Sequence, residues 1–142
     1  MKILDCTLRD GGYYTNWDFD KNLVGDYLKL IKFLPIDIIE VGYRGHADKE
    51  NYLGEFYYLT KNKLKNIKSK IGKNKKLSIM IDSKDWKKPS DLKKNLNDCR
   101  KIVDIIRFAV NPKKIANLEK FLKPINNMGF KIAVNIMYSH LL

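Results

Sequence analysis

Five short apolar runs rich in β-branched residues alternate with stretches in which apolar residues recur every three or four positions. The runs are Lys2–Thr7, Ile36–Gly42, Leu77–Asp82, Val103–Val110 and Lys131–Met137. Their near-continuous apolarity predicts strands buried on both faces, as in a parallel sheet. Asp20 is positioned to cap a helix whose Leu23, Val24, Tyr27, Leu28, Ile31 and Leu34 share one face, and Pro35 stops it. Tyr52–Ile71 carries a helix with Leu64, Ile67 and Ile71 inward and lysines outward, ended by Gly72. Ser90 or Asp91 caps a third helix with Leu92, Leu96, Cys99 and Val103 aligned. Asn111-Pro112 opens a fourth with Ile115, Leu118, Phe121, Leu122 and Ile125 inward, bent by Pro124 and ended by Gly129.

The order β-α-β-α-β-α-β-α-β describes an α/β parallel architecture in one domain spanning residues 1–142. Two arrangements compete. A flavodoxin-like doubly wound sheet uses five strands in this length, whereas a (β/α)₈ barrel needs eight strands and about 250 residues. The ends of the strands separate them. Arg9 and Asp10 follow the first strand, with the flexible pair Gly11-Gly12 and then Tyr13 and Tyr14. Glu40 sits inside the second, before Tyr43, Arg44 and His46; Asp82 and Ser83 end the third. Arg107 and Asn111 belong to the fourth, and Asn135, Ser139 and His140 to the fifth. A doubly wound sheet concentrates polar groups at its switch point, while contributions from every strand suit a barrel mouth. Length alone selects the open sheet, whereas the strand ends favour a parallel (β/α) TIM-barrel type, incomplete, with five of eight βα units.

Charge changes this picture little. The 28 basic residues exceed the 16 acidic ones by 12, but all except Arg9, Arg44, Arg100 and Arg107 are lysine. Nucleic-acid readers favour arginine with exposed aromatics beside it. The eight lysines from Lys61 to Lys76 read instead as the solvated face of an amphipathic helix, so no nucleic-acid partner is expected. No apolar run approaches the roughly 18 residues of a membrane span, and Ile3 and Leu4 alone make no secretory core. Cys6 and Cys99 lie far apart without metal-type spacing, which fits a cytoplasmic chain.

An aspartate beside an arginine on one turn can hold a divalent cation while the guanidinium faces the same bound oxygens. That pairing suits an enolate formed from a 2-oxo acid. Glu40, a charge in an apolar strand, needs a partner, and Arg9 or Arg44 is the natural one. The same three residues could equally be an ion-pair network tying two strand ends. Arg107 also needs a counter-ion, from Asp82 or Glu40. Asp82 and Asn135 either line a pocket or cap the following helices. His46 reads as a surface histidine, Cys6 as a core residue, and Trp17 and Trp86 either cover the mouth or pack against helices.

The run Asp5–Gly12, DCTLRDGG, resembles the first-strand signature of the DRE-TIM metallolyases, the HMG-CoA lyase-like or pyruvate carboxyltransferase family. Ile39–Arg44, IEVGYR, resembles the block that supplies the family's glutamate. Ile136–Leu142, IMYSHLL, is similar to the fifth-strand segment of its 4-hydroxy-2-oxovalerate aldolases. The resemblance implies a TIM barrel and a divalent cation, Mg²⁺ or Mn²⁺, with Asp10 as metal ligand. It also implies Arg9 as the catalytic arginine that stabilises the enolate, Glu40 as its companion and His140 as the fifth-strand histidine. Tyr13, Tyr43, Arg44, Asp82, Arg107 and Asn135 are the accompanying substrate-binding candidates. The activity implied is cleavage or formation of a carbon–carbon bond of a small 2-oxo acid.

Three departures bear on that reading. The family's H-x-H metal motif has no counterpart among His46 and His140. Tyr13 stands where the aldolases carry a histidine base, and a phenol near pKa 10 is a poor base at neutral pH. Gly12-Tyr13 replaces the Glu-Gln of the acyl-CoA-condensing synthases, which favours aldolase chemistry over that alternative. The other alternative is a non-catalytic flavodoxin-like binding module with a basic surface. Five strands of eight leave open edges, so a complementing C-terminal half-barrel or self-association is expected.

Overall fold

The computed structural model describes residues 1–46, 52–138 and 140. Its five strands are β1 (Leu4–Asp5), β2 (Ile38–Tyr43), β3 (Lys76–Asp82), β4 (Ile105–Val110) and β5 (Lys131–Ile136). All neighbours are parallel and the spatial order is β1-β2-β3-β4-β5, the order of the sequence. A doubly wound sheet reverses order at a switch point, so the flavodoxin-like alternative falls. The strands form a curled half-barrel with helices between them, an incomplete parallel α/β fold.

Five α-helices flank the strands: α1 (Thr7–Thr15), α2 (Lys21–Ile31), α3 (Lys61–Lys70), α4 (Pro89–Leu96) and α5 (Glu119–Asn126). Asp20 caps α2 as expected, accepting from the backbone N–H of Asn22 and Leu23 at 2.9 Å each. Thr60 caps α3 through the N–H of Lys63, so that helix begins nine residues later than Tyr52. Gly72 follows α3 at φ +93°, a left-handed conformation that glycine adopts without a Cβ clash. Lys88, rather than Ser90 or Asp91, precedes α4, because Pro89 already supplies a preset first helical position. The segment Pro112–Leu118 is a 3₁₀ helix leading into α5 and leaves Ile115 exposed. Leu23 and Leu34, expected inward on α2, are exposed as well.

The two faces of the sheet differ in chemistry. Alternation along the strands sends Ile39, Val41, Leu77, Ile79, Ile106 and Phe108 to the outer face, where all are buried under the helices. Leu64, Ile67, Leu92, Leu96, Phe121 and Ile125 meet them there, each also buried. The inner face carries Glu40, Ser78, Met80, Arg107 and Asn135. The expected burial of both faces holds for β2–β4, while β5 keeps Val134 and Ile136 each 40% exposed. Among the described residues, no helix is long and apolar enough to cross a membrane.

Candidate active site

Glu40 is completely buried on the inner face, where an isolated carboxylate would carry a large desolvation cost. Three donors meet it. Arg9 Nε donates to Oε1 at 3.0 Å and Arg107 Nη1 to the same oxygen at 2.9 Å; the Ser78 hydroxyl donates to Oε2 at 3.2 Å. Arg107 Nη2 donates to Asn135 Oδ1 at 2.7 Å, so one chain of bonds crosses from α1 through β2 and β4 to β5. Arg9, one of the two expected partners of Glu40, and Arg107, whose expected counter-ion was Asp82 or Glu40, thus converge on one carboxylate. Arg44, the other expected partner of Glu40, goes elsewhere.

Arg9 also pairs through Nη1 with the carboxylate of its neighbour Asp10. Burial works against the Arg9 charge, but Glu40 more than offsets it and Asp10 adds, so its pKa lies above the ordinary value. Asp10 is 56% exposed, the outward-facing end of the network. Its second oxygen accepts the Cys6 thiol at 3.3 Å. Burial, and then that bond, raise the Cys6 pKa, which keeps the thiol protonated and donating.

Arg9 and Asp10 are carried by a helix, not by the flexible turn expected around Gly11-Gly12. The reason is the docking of Trp17. Its indole N–H donates to Arg9 O at 3.0 Å, and a Cβ on Gly12 would lie 2.1 Å from the indole ring. Gly12 therefore supplies close approach rather than flexibility. The Trp17 ring packs edge-on against Tyr13, Tyr43 and Tyr57, with centroids 4.8, 5.5 and 4.9 Å away. The hydroxyls of Tyr13 and Tyr43 are 2.9 Å apart. Burial is the main cause that holds the Tyr43 and Tyr57 phenols far above their ordinary pKa, so both remain neutral.

The remaining candidates separate from this network. Asp82 caps the 3₁₀ turn Ser83–Asp85 by accepting the Lys84 N–H at 3.1 Å, and it pairs with Lys84 Nζ at 3.0 Å. Arg44 turns away between the helices and pairs with Asp98 at 2.6 Å. His140 is exposed, its ring 6.4 Å from that of Tyr138. His46 packs edge-on against Trp86, and Ser139 lies outside the described residues. Ser78 and Tyr57 were missed from sequence. Ser78 had a signal, a hydroxyl in the middle of LSIMID, two positions from Met80 and four from Asp82 on the same face; Tyr57 had none. Among the described residues no three His, Cys, Asp or Glu side chains stand together as a metal-binding group. At the mouth the donor set available to a cation is the single carboxylate of Asp10, which does not by itself fit a tightly held metal.

The crystal structure of the N-terminal domain of a putative aldolase from Bacteroides vulgatus is similar to this chain. The two are 44% identical with a TM-score of 0.91, over 99% of this chain and 46% of that one. This chain thus spans about half the length of that crystallised chain. No protein-family model and no curated protein matches it.

Proposed function

We propose that the chain supplies the arginine–aspartate–glutamate part of an aldolase site acting on a 2-oxo acid, as in the DRE-TIM metallolyases. The observation that carries the reading is the convergence of Arg9, Arg107 and Ser78 on fully buried Glu40, with Asp10 exposed beside Arg9. Arg9 Nε and Nη1 are held by Glu40 and Asp10, and no described residue takes its Nη2. A guanidinium fixed along one edge can direct the other at a developing enolate oxygen without reorganising during reaction. Glu40 fixes the plane of that guanidinium, and Arg107, held by Asn135, keeps Glu40 oriented. Tyr13 and Tyr43 offer hydroxyls for orienting the substrate at the same mouth. A bound Mg²⁺ or Mn²⁺ would polarise the keto acid. This chain's contribution to holding it is Asp10, with further ligands coming from groups beyond these residues. Exposed Val134 and Ile136 on β5, Leu30 on α2 and Phe33 just after it fit further βα units that continue the cylinder.

The test is binding of oxalate, a planar enolate mimic, followed by thermal shift with and without Mn²⁺. In a polypeptide that also supplies the further metal ligands, wild type gains stability from oxalate; Asp10→Asn loses the Mn²⁺-dependent part, and Arg9→Lys loses most of the rest. In a polypeptide carrying the remaining strands, Arg9→Ala lowers turnover by about 10²–10³-fold. Oxalate stabilisation unchanged by both substitutions would overturn the assignment.

A further inference from the structure

A second site lies away from the mouth, in the wall between α3 and α4. A cavity of about 630 Å³ opens there, lined among others by Arg44, Lys61, Trp86, Asp91, Lys94 and Asn95. Among the described residues, three buried side-chain atoms have no hydrogen-bond partner: Arg44 Nη1, Trp86 Nε1 and Asn95 Oδ1. All three belong to residues lining this one cavity. Buried polar groups are nearly always satisfied, and an orphan calls for a missing partner. The three orphans stand just after β2, in the segment after β3 and in the last turn of α4, on residues that border the same cavity.

Their chemistry describes the missing partner. Arg44 and Trp86 donate, and Asn95 accepts. Arg44 already has its other terminal nitrogen on Asp98 at 2.6 Å, which leaves one position of the guanidinium fork for an anionic oxygen. The cavity gathers Arg44, Lys61 and Lys94 against Asp91 and Asp98, one net positive charge among these five. That balance accepts a monoanion and disfavours a phosphate dianion, while the fixed Arg44 charge disfavours a metal cation. We infer that the cavity binds a small organic acid through its carboxylate, held by Arg44 Nη1 and the Trp86 indole N–H. A hydroxyl or ammonium on the same molecule donates to Asn95 Oδ1. The three atoms are sealed from water in the ligand-free structure, so binding requires the side chains lining the cavity to rotate.

The two tryptophans give an internal control. Trp17 reports the mouth through its bond to Arg9 O, and Trp86 reports the cavity. In the ¹⁵N-labelled chain each indole N–H gives one resonance, and lactate, a carboxylate with a hydroxyl, is titrated at constant ionic strength. The Trp86 resonance moves and saturates below about 10 mM, while that of Trp17 stays in place. Arg44→Gln or Asn95→Leu weakens the response by about tenfold, the loss of one hydrogen bond to a charged group. Either variant suffices if the other does not fold. Asp10→Asn leaves the response unchanged, so the cavity and the mouth can fail separately. A Trp86 resonance unmoved at 100 mM lactate, one moved equally by chloride, or movement of Trp17 alone would overturn the inference.

Discussion

Arg107 sits within β4 and Arg44 just after β2, and their surroundings differ in completeness. Arg107 places one terminal nitrogen on Glu40 at 2.9 Å and the other on Asn135 at 2.7 Å, on the inner face of the half-barrel. Arg44 has one terminal nitrogen on Asp98 and the other without a partner. The first arrangement is closed within the protein and positions other groups. The second is left open by one hydrogen bond at each of three residues around a cavity. Satisfaction of the fork, rather than burial alone, separates a guanidinium that organises a site from one that offers itself to a ligand.

The largest expected effect tests the closed network. Glu40→Ala removes the shared acceptor and leaves Arg9 and Arg107 facing each other in a poorly hydrated space. Breaking a buried pair in this way costs about 3–5 kcal/mol, read as a lowered urea midpoint. Glu40→Gln, which keeps the shape, gives a measurable value if the alanine variant does not fold. Asp98→Asn, the matching change at Arg44, costs about 1 kcal/mol or less, because Asp98 is 45% exposed. Equal losses at the two positions would break the comparison.

The opposite end of the strands extends the contrast to pH. Asp104, just before β4, accepts the Leu77 N–H at 2.8 Å and pairs with Lys68. Burial alone would raise its carboxyl pKa; the bonds from Lys68 and Leu77 outweigh it, and the net shift is downward from 3.8. A carboxylate with a depressed folded-state pKa contributes stability that is complete above its unfolded pKa. That contribution is lost as pH falls through the folded value. Asp104→Asn should therefore cost about 1–2 kcal/mol near neutrality and flatten the decline of stability below pH 4. Urea midpoints measured from pH 7 to pH 2 check this, and a variant with an unchanged acid limb would refute it.

The alternation of apolar runs and helical periods made the parallel strands legible, because a strand covered on one side by helices must be apolar there. The charged members of the site were legible for a related reason. Glu40 and Arg107 interrupt apolar runs, and a buried charge demands an opposite one. Arg44 was misassigned because the sequence marks the end of a strand but not the direction of a side chain. One step along the chain reverses the face, and Tyr43 reaches Tyr13 at the mouth while Arg44 enters the helical wall. The helix α1 was illegible since Gly11-Gly12 weakens local helix propensity. Only the tertiary contact with Trp17, five residues beyond Gly12, explains why a glycine belongs there. The orphaned atoms of Trp86 and Asn95 left no trace in spacing, because a missing partner exists only in three dimensions.

The smallest effect separates the two tryptophans. Trp17→Phe removes an indole N–H that donates to Arg9 O at 3.0 Å, together with part of the ring packed among Tyr13, Tyr43 and Tyr57. Trp86→Phe removes a similar volume and an N–H that has no partner. Both variants lose ring contacts, so the difference between them isolates the hydrogen bond. Losing a satisfied bond strands its acceptor, whereas deleting an unsatisfied buried donor relieves a desolvation cost. Trp17→Phe should therefore be less stable than Trp86→Phe by about 1 kcal/mol, measured from urea midpoints in ligand-free buffer. Adding lactate should narrow that gap, stabilising the Trp17 variant while leaving the Trp86 variant nearly unmoved, since the indole that would hold the carboxylate is gone.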